Sequence, residues 1–231
     1  PGREFNPFIG ASGNLQVIDD FNGDNFDHAP LGFIGGGFIA GGAGGLPIGG
    51  RITPPGVPRW GAAWKAETAK WYRANIRLIA EGAGHPTRGN YLDLDPTYRD
   101  ALGRPLLRMT YTDTANDLKQ SDYLVDITVK IAQAMGAEKV VARRKPRRFS
   151  IVPYQSTHNT GGTIMGQTPA DSVVNRYLQA WDADNLFVMG ASVFPQQPGY
   201  NPTGTVGALA YWSAQAITTR YLKNPGPLVH A

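Results

Sequence analysis

The chain has 231 residues, 42% of them hydrophobic and 17% charged, enough apolar mass for a buried core in one or two domains. Cysteine is absent, which excludes disulfides, a thiolate metal site, an iron–sulfur cluster and covalently attached c-type haem within these residues. The net charge of +4 is mildly basic but not patterned as in a nucleic-acid binder, and no run of about 18 apolar residues offers a bilayer span.

With 29 glycines and 18 prolines, much of the chain is expected in turns and loops. It opens Pro1-Gly2-Arg3-Glu4-Phe5, with neither an initiator methionine nor a targeting signal, and reads as an interior position of a longer polypeptide. Residues 1–60 predict loops and short strands. Gly35, Gly37 and Ala40 have G-x-G-x-x-A spacing, but a dinucleotide fingerprint also needs a helix opening there and an acidic residue roughly 20 positions on. Gly41 to Pro47 cannot open a helix and 50–60 holds no acidic residue, so a Gly-rich hairpin close against other backbone is expected. Asp19, Asp20, Asp24, Asp27 and His28 lack the ligand spacing of a calcium loop. They are expected to be solvated or capping, and no metal site is expected.

Residues 60–82 predict a long helix, because Trp60, Trp64, Thr68, Trp71, Tyr72, Asn75, Ile76 and Ile79 recur at threes and fours before Gly82 and Gly84. An aromatic stripe at that spacing belongs in a core more readily than on a sugar platform. Asn90–Pro96 and Leu106–Thr112 alternate as strands do. Asp113 or Thr114 then caps a helix running to about Met135, Gly136 ends it, and a third strand is expected near Lys139–Val141. Together these predict an α+β layer, an antiparallel sheet with covering helices. The basic run Ala142–Arg148 reads first as a solvated loop and second as a surface for an acidic partner. Without interleaved aromatics it is a poor nucleic-acid site.

Phe149–Tyr154 reads as a strand leading to His158. An imidazole can take and release a proton near neutral pH, and the small residues Thr160-Gly161-Gly162-Thr163 would let a planar ligand approach the backbone. Alone, a loop histidine is structural at least as readily as catalytic. Asp171–Gln179 predicts a short helix or turn. Leu186–Met189 is a continuous apolar run entering Gly190-Ala191-Ser192, which predicts a buried strand ending at a ligand-facing turn. Asn201-Pro202-Thr203-Gly204-Thr205 reads as a helix start with Asn or Thr as cap and Pro in the first turn. That helix is apolar on nearly every face and is expected to be buried. Its mouth would offer unpaired N–H groups and about half a positive charge. Asn201 donates and accepts but does not titrate, which suits a positioning group.

His158-Asn159-Thr160-Gly161-Gly162-Thr163, the Leu186–Ser192 segment and Gly199-Tyr200-Asn201-Pro202-Thr203-Gly204-Thr205 resemble the C-terminal end of the glucose–methanol–choline (GMC) flavoprotein oxidoreductases. The closing Tyr221–Val229 segment resembles more narrowly the flavoprotein subunits of bacterial membrane-bound gluconate 2-dehydrogenases and their sorbitol-oxidising relatives. Asn90–Tyr98 belongs to the same resemblance. It implies an incomplete GMC fold: a substrate-binding domain over most of 1–155, and at 156–231 the C-terminal strand and helix of an α/β FAD-binding domain. The N-terminal FAD-binding half would lie outside these residues, so most of the FAD site is expected from elsewhere.

The resemblance also implies an FAD-dependent dehydrogenase that oxidises an alcohol of a sugar, polyol or aldonate by hydride transfer to flavin N5. His158 matches the histidine that accepts the hydroxyl proton, and Asn201 matches its partner, which is His or Asn in the family. Gly190 and Ala191 match the turn that meets the FAD diphosphate and ribityl chain. Many relatives have Asp-Gly there, which leaves backbone contacts as the expectation. Pro202 and Thr203 match the helix start beside the flavin pyrimidine edge, where a helix N-terminus would stabilise negative charge. Implied partners are the N-terminal half, a multihaem cytochrome c and a small accessory subunit, with a periplasmic, membrane-associated location reached through those partners. A non-catalytic carbohydrate-binding or scaffold module is the alternative reading.

Overall fold

The computed structural model describes residues 16–22, 26–43, 53–72, 74–151 and 158–230. They form two compact units interleaved in sequence, one of residues 1–82 with 115–145, the other of 83–114 with 146–231. Residues 83–114 thus group with the C-terminal segment, across the division at 155 read from the sequence.

In the first unit, β1 (Gln16–Ile18), β2 (Gly37–Ala43) and β3 (Ile76–Gly82) make an antiparallel sheet in the order β1-β2-β3. The glycine-rich stretch is therefore a sheet strand with no phosphate loop, and the G-x-G-x-x-A spacing opens no helix. Its glycines fit the expected close backbone approach: a Cβ at Gly37 would lie 2.1 Å from the Glu81 carbonyl oxygen. Helix α2 (Ala115–Ala134) packs on β3 and β2. Leu124 and Ile39 are buried beneath it, and the Gln120 amide donates to Ile34 O at 3.2 Å. Gly136, at φ 77°, ends the helix where the sequence placed its stop. Phe21, Phe26, His28 and Phe33 gather round Tyr123, and the His28 ring nitrogen Nδ1 meets Phe33 O at 3.0 Å. Asp27 accepts from Ala29 N at 3.0 Å, the capping role expected for the acidic cluster; Asp24 lies outside the described residues.

Three expectations are corrected here. The helix read over 60–82 stops as α1 (Gly61–Tyr72), and Ile76 to Gly82 pair with β2 instead. Ile76 and Ile79 are β-branched and suit a pleated surface, so seven residues of ladder outweigh the helical spacing. The tryptophan stripe is not core in this unit: no residue of α1 is buried, and Trp60 is 82% exposed. Lys139–Val141 is not a strand, and these residues are exposed. The basic run after it folds back on α2, where Arg144 bridges Asp122 and Asp126.

In the second unit, β4 (Tyr91–Arg99) and β5 (Pro105–Thr110) form an antiparallel hairpin of their own, separate from the sheet that α2 covers. One continuous sheet was expected. The Asp95 carboxylate accepts from Thr97 N and Tyr98 N, both at 2.8 Å, and so shapes the bulge between Leu94 and Arg99. Those two N–H groups, Tyr98 first, hold its pKa below the ordinary carboxylate value. Asp93 is held low chiefly by its hydrogen-bonded pairing with Arg108 across the strands. Register puts Leu92, Leu94, Leu107 and Met109 on the opposite face, where all are more than half exposed. Phe149–Ile151 carry no strand, and 152–154 lie outside the described residues.

The core of this unit is Val174, Leu178, Val193 and Phe194, with Met165, Val188, Val206 and Leu209 packed on it. Asp171–Gln179 is a turn, the second of the two forms expected. Leu178 sits at φ 65°, the one non-glycine residue with positive φ among those described. The Leu178 N–H donates to Asn175 O at 2.8 Å and its carbonyl accepts from Val188 N at 2.9 Å, which hold it there. The Gln179 amide, 1% exposed, donates to Asp184 O (2.7 Å) and Gly226 O (2.9 Å) and accepts from Leu228 N (2.7 Å).

Gly37→Ala is expected to cost about 1–3 kcal/mol, because the new methyl meets backbone that cannot step aside. Thermal or denaturant unfolding reads the loss, and unchanged stability would contradict the packing of β2 on β3.

Candidate active site

His158 is half-buried at the start of a segment held on both sides. On one side, Gly161 N donates to Ala191 O (3.2 Å), Thr163 N to Ser192 O (3.0 Å) and Met165 N to Val193 O (2.8 Å). On the other, Val173 N donates to Ile164 O (2.9 Å) and Gly166 N to Val174 O (3.0 Å). Gly161 and Gly162 take φ 80° and 91°, a left-handed course that lets the chain leave the His158 loop and enter this ladder.

The partner segment begins at Gly190, with φ 121° and ψ −175°, followed by a 3₁₀ turn over Ala191–Val193. A Cβ at Gly190 would meet nothing within 4 Å. The apolar run before it is not the buried strand expected. Phe187 makes one isolated antiparallel bridge to Gln179, while Leu186 and Met189 are 50% and 43% exposed. A continuous apolar run shows that a segment wants burial, and here only Val188 obtains it in the core.

After Phe194 the chain reaches Gln197, Pro198, Gly199, Tyr200 and Asn201. Helix α3 (Thr203–Ala216) starts where the sequence predicted, with Pro202 at its N-cap and buried. No side chain makes a cap hydrogen bond, so the expected capping by Asn or Thr is not found. Pro202 O instead accepts from Val206 N at 3.0 Å. The amides of the first turn are left pointing out of the helix mouth, and Asn201 is exposed beside them. The helix is less buried than its composition predicted. Ser213 and Ala216 are buried, but Tyr211 is 83% exposed. Gly204 and Gly207, one turn apart, have open space where a Cβ would stand.

The structure thus brings the His158 loop, the Gly190–Ala191 turn and the Pro202–Thr203 helix start onto one core: Met165, Val193 and Val206 belong to the three segments and pack in the same cluster. Thr163 joins the site unforeseen. Its Oγ1 is buried without a hydrogen-bond partner, and its place in the Gly161-Gly162-Thr163 run was the available signal. A cavity of about 260 Å³ in this unit lies elsewhere, lined by Asn175, Gln179, Trp181, Asp184, Pro227 and His230 among others. Among the described residues, no three His, Asp or Glu side chains gather as a metal site, and no helix is long and apolar enough to cross a membrane.

Residues 86–210, more than half of the chain and all of this site, match the GMC oxidoreductase family model, and the chain belongs to that family. It is 52% identical over 229 residues to the gluconate 2-dehydrogenase flavoprotein of Pantoea cypripedii, covering 98% of this chain and 37% of that protein. It is also 34% identical over 134 residues (57% of this chain, 23% of the other) to the fructose dehydrogenase large subunit of Gluconobacter japonicus. Similarity to the 2-methyl-1,2-propanediol dehydrogenase of Mycolicibacterium austroafricanum is 30% over 165 residues, 71% of this chain and 29% of that one. The chain therefore spans little more than a third of the length of these relatives at most.

Gly207→Ala is expected to stabilise the isolated chain by about 0.5–1 kcal/mol, since alanine is the better helix residue and the site has room. A loss of stability in denaturant titration would mean that part of this same chain occupies the open face of α3.

Proposed function

We propose that these residues supply the proton-transfer site of an FAD-dependent dehydrogenase that oxidises an alcohol of a sugar, polyol or aldonate. The observation that carries this reading is the three-bond ladder between 161–165 and 191–193, with the start of α3 on the same core. His158, Gly190 and Asn201 are the residues directly preceding or opening these three segments.

The residues present fit the cofactor that the family implies. Gly190 and Ala191 would meet its diphosphate and ribityl chain by backbone N–H groups, with no Cβ at Gly190 to obstruct it. Pro202 and Thr203 open the helix mouth, and Gly204 and Gly207 leave that helix face open to a flat ring. The unpartnered Thr163 hydroxyl offers one more polar contact. When bound, FAD supplies the two-electron acceptor at N5. His158 takes the substrate hydroxyl proton, and Asn201 orients the same hydroxyl, because a carboxamide hydrogen-bonds but does not exchange protons at this pH. The positive end of α3 favours negative charge forming ahead of it.

Residues 1–155 as substrate domain and 156–231 as the end of the FAD domain belong to this proposal as a functional division, not a division of contacts. So do a multihaem cytochrome c acceptor, a small accessory subunit and a periplasmic, membrane-associated location. The lack of cysteine leaves no thioether attachment for haem within these 231 residues, in keeping with an acceptor haem on another subunit.

In the complete flavoprotein, His158→Ala is expected to lower turnover about 10²–10⁴-fold while flavin absorbance stays at wild-type stoichiometry. Near wild-type turnover would reject the assignment. One observation favours the non-catalytic carbohydrate-binding reading, the exposure of Trp60 (82%) and Trp64 (38%). Calorimetry on flavin-free protein separates the two: the dehydrogenase reading expects no measurable polyol binding, and strong binding supports the module.

A further inference from the structure

We propose that Gln197 is a positioning residue for Asn201, holding the loop that delivers it to the mouth of α3. The inference rests on the reading of Asn201 given above and assigns a role to a residue that neither spacing nor chemistry had marked.

Gln197 is anchored first by its own backbone. Its N–H donates to Gly84 O at 2.8 Å and its carbonyl accepts from Gly84 N at 2.9 Å, an isolated antiparallel bridge. From that fixed point its side chain turns forward along the chain. Nε2 donates to Tyr200 O at 3.1 Å, and Oε1 accepts from Gly199 N at 2.9 Å. One amide thus takes up a donor and an acceptor of the loop that separates it from Asn201. Gly199 is buried at φ 81°, a course that suits glycine.

The neighbours explain why a side chain does this work. Pro198 and Pro202 lack N–H groups, so at two of five positions from 198 to 202 the backbone has no donor with which to brace the loop. The helix start adds nothing through its cap, because no side chain makes a capping bond. The partners also demand both halves of an amide. The Gly199 N–H needs an acceptor and the Tyr200 carbonyl needs a donor, which methionine cannot supply and an ionised glutamate supplies only in part.

The test uses the complete flavoprotein with Gln197→Met, Gln197→Glu, Asn201→Ala and the double variant Gln197→Met/Asn201→Ala, reading kcat, KM, flavin content and thermal midpoint. Gln197→Met is expected to keep its flavin and to lower kcat/KM about tenfold to a hundredfold, the scale of a displacement of about 1 Å. In the Asn201→Ala background the same change is expected to add no further loss, since it acts through the residue already removed. For Gln197→Glu, activity relative to wild type is expected to climb as pH falls, because the protonated carboxyl regains a donor toward Tyr200 O. Wild-type kcat/KM in Gln197→Met, or losses that multiply in the double variant, would overturn the proposal. Should Gln197→Met shed its flavin, the Gln197→Glu ratio decides, and a ratio that does not change with pH overturns it. Wild-type turnover in Asn201→Ala would overturn the reading of Asn201 itself and the Gln197 proposal with it.

Discussion

The second unit depends on one alignment, the run of Gly161 to Met165 along Ala191 to Val193. Three N–H···O bonds of 2.8–3.2 Å set its register, and Val193 beneath it is fully buried among Val174, Leu178 and Phe194. Each bond contributes only about 1 kcal/mol net, but the apolar contacts below lock the register that the bonds specify. Position 158 lies three residues before one side of the ladder, and position 190 immediately before the other. Slipping the register by one residue would turn Met165 away from the core and shift the His158 loop at the same time. Packing and chemistry are therefore tied to the same few backbone atoms.

Glycine serves two opposite ends in this chain. At Gly37 and Gly82 the missing side chain lets other atoms of the same unit come close, the Glu81 carbonyl in one case and the Gln120 amide in the other. At Gly190, Gly204 and Gly207 the missing side chain faces nothing within 4 Å. The first kind closes a structure and the second leaves one open, yet both read identically in a sequence. This is why the Gly-rich strand β2, which has the look of a nucleotide loop, has a purely structural explanation, whereas the less conspicuous glycines of α3 border the candidate site.

Features with local causes were legible in the sequence. The strands β4 and β5 follow their alternation, α2 runs from just after Thr114 to the Gly136 stop, and α3 begins at Pro202–Thr203 as its turn chemistry required. Features with distant causes were not. Ile76–Gly82 is a strand because β2, some 40 positions upstream, offers a ladder, and helical spacing could not reveal that. Lys139–Val141 and Leu186–Met189 have strand composition but no partner strand among the described residues. The segments at His158, Gly190 and Asn201 were marked by their residue types and by resemblance. What joins them, the backbone ladder and the Met165–Val193–Val206 contact, is tertiary and has no sequence signature. Gln197 was missed for a related reason: an amide that satisfies its own loop looks like any polar residue beside a proline.

The Gln179 amide has a consequence for the order in which this unit is completed during synthesis. Its partners include Gly226 and Leu228, 47 and 49 positions later in the chain. Until the ribosome has passed those residues, the glutamine has to keep water or a provisional partner, although it ends at 1% exposure. The region around it can therefore reach its final, dry state only after α3 has been made and the last turn of polypeptide has come back across it.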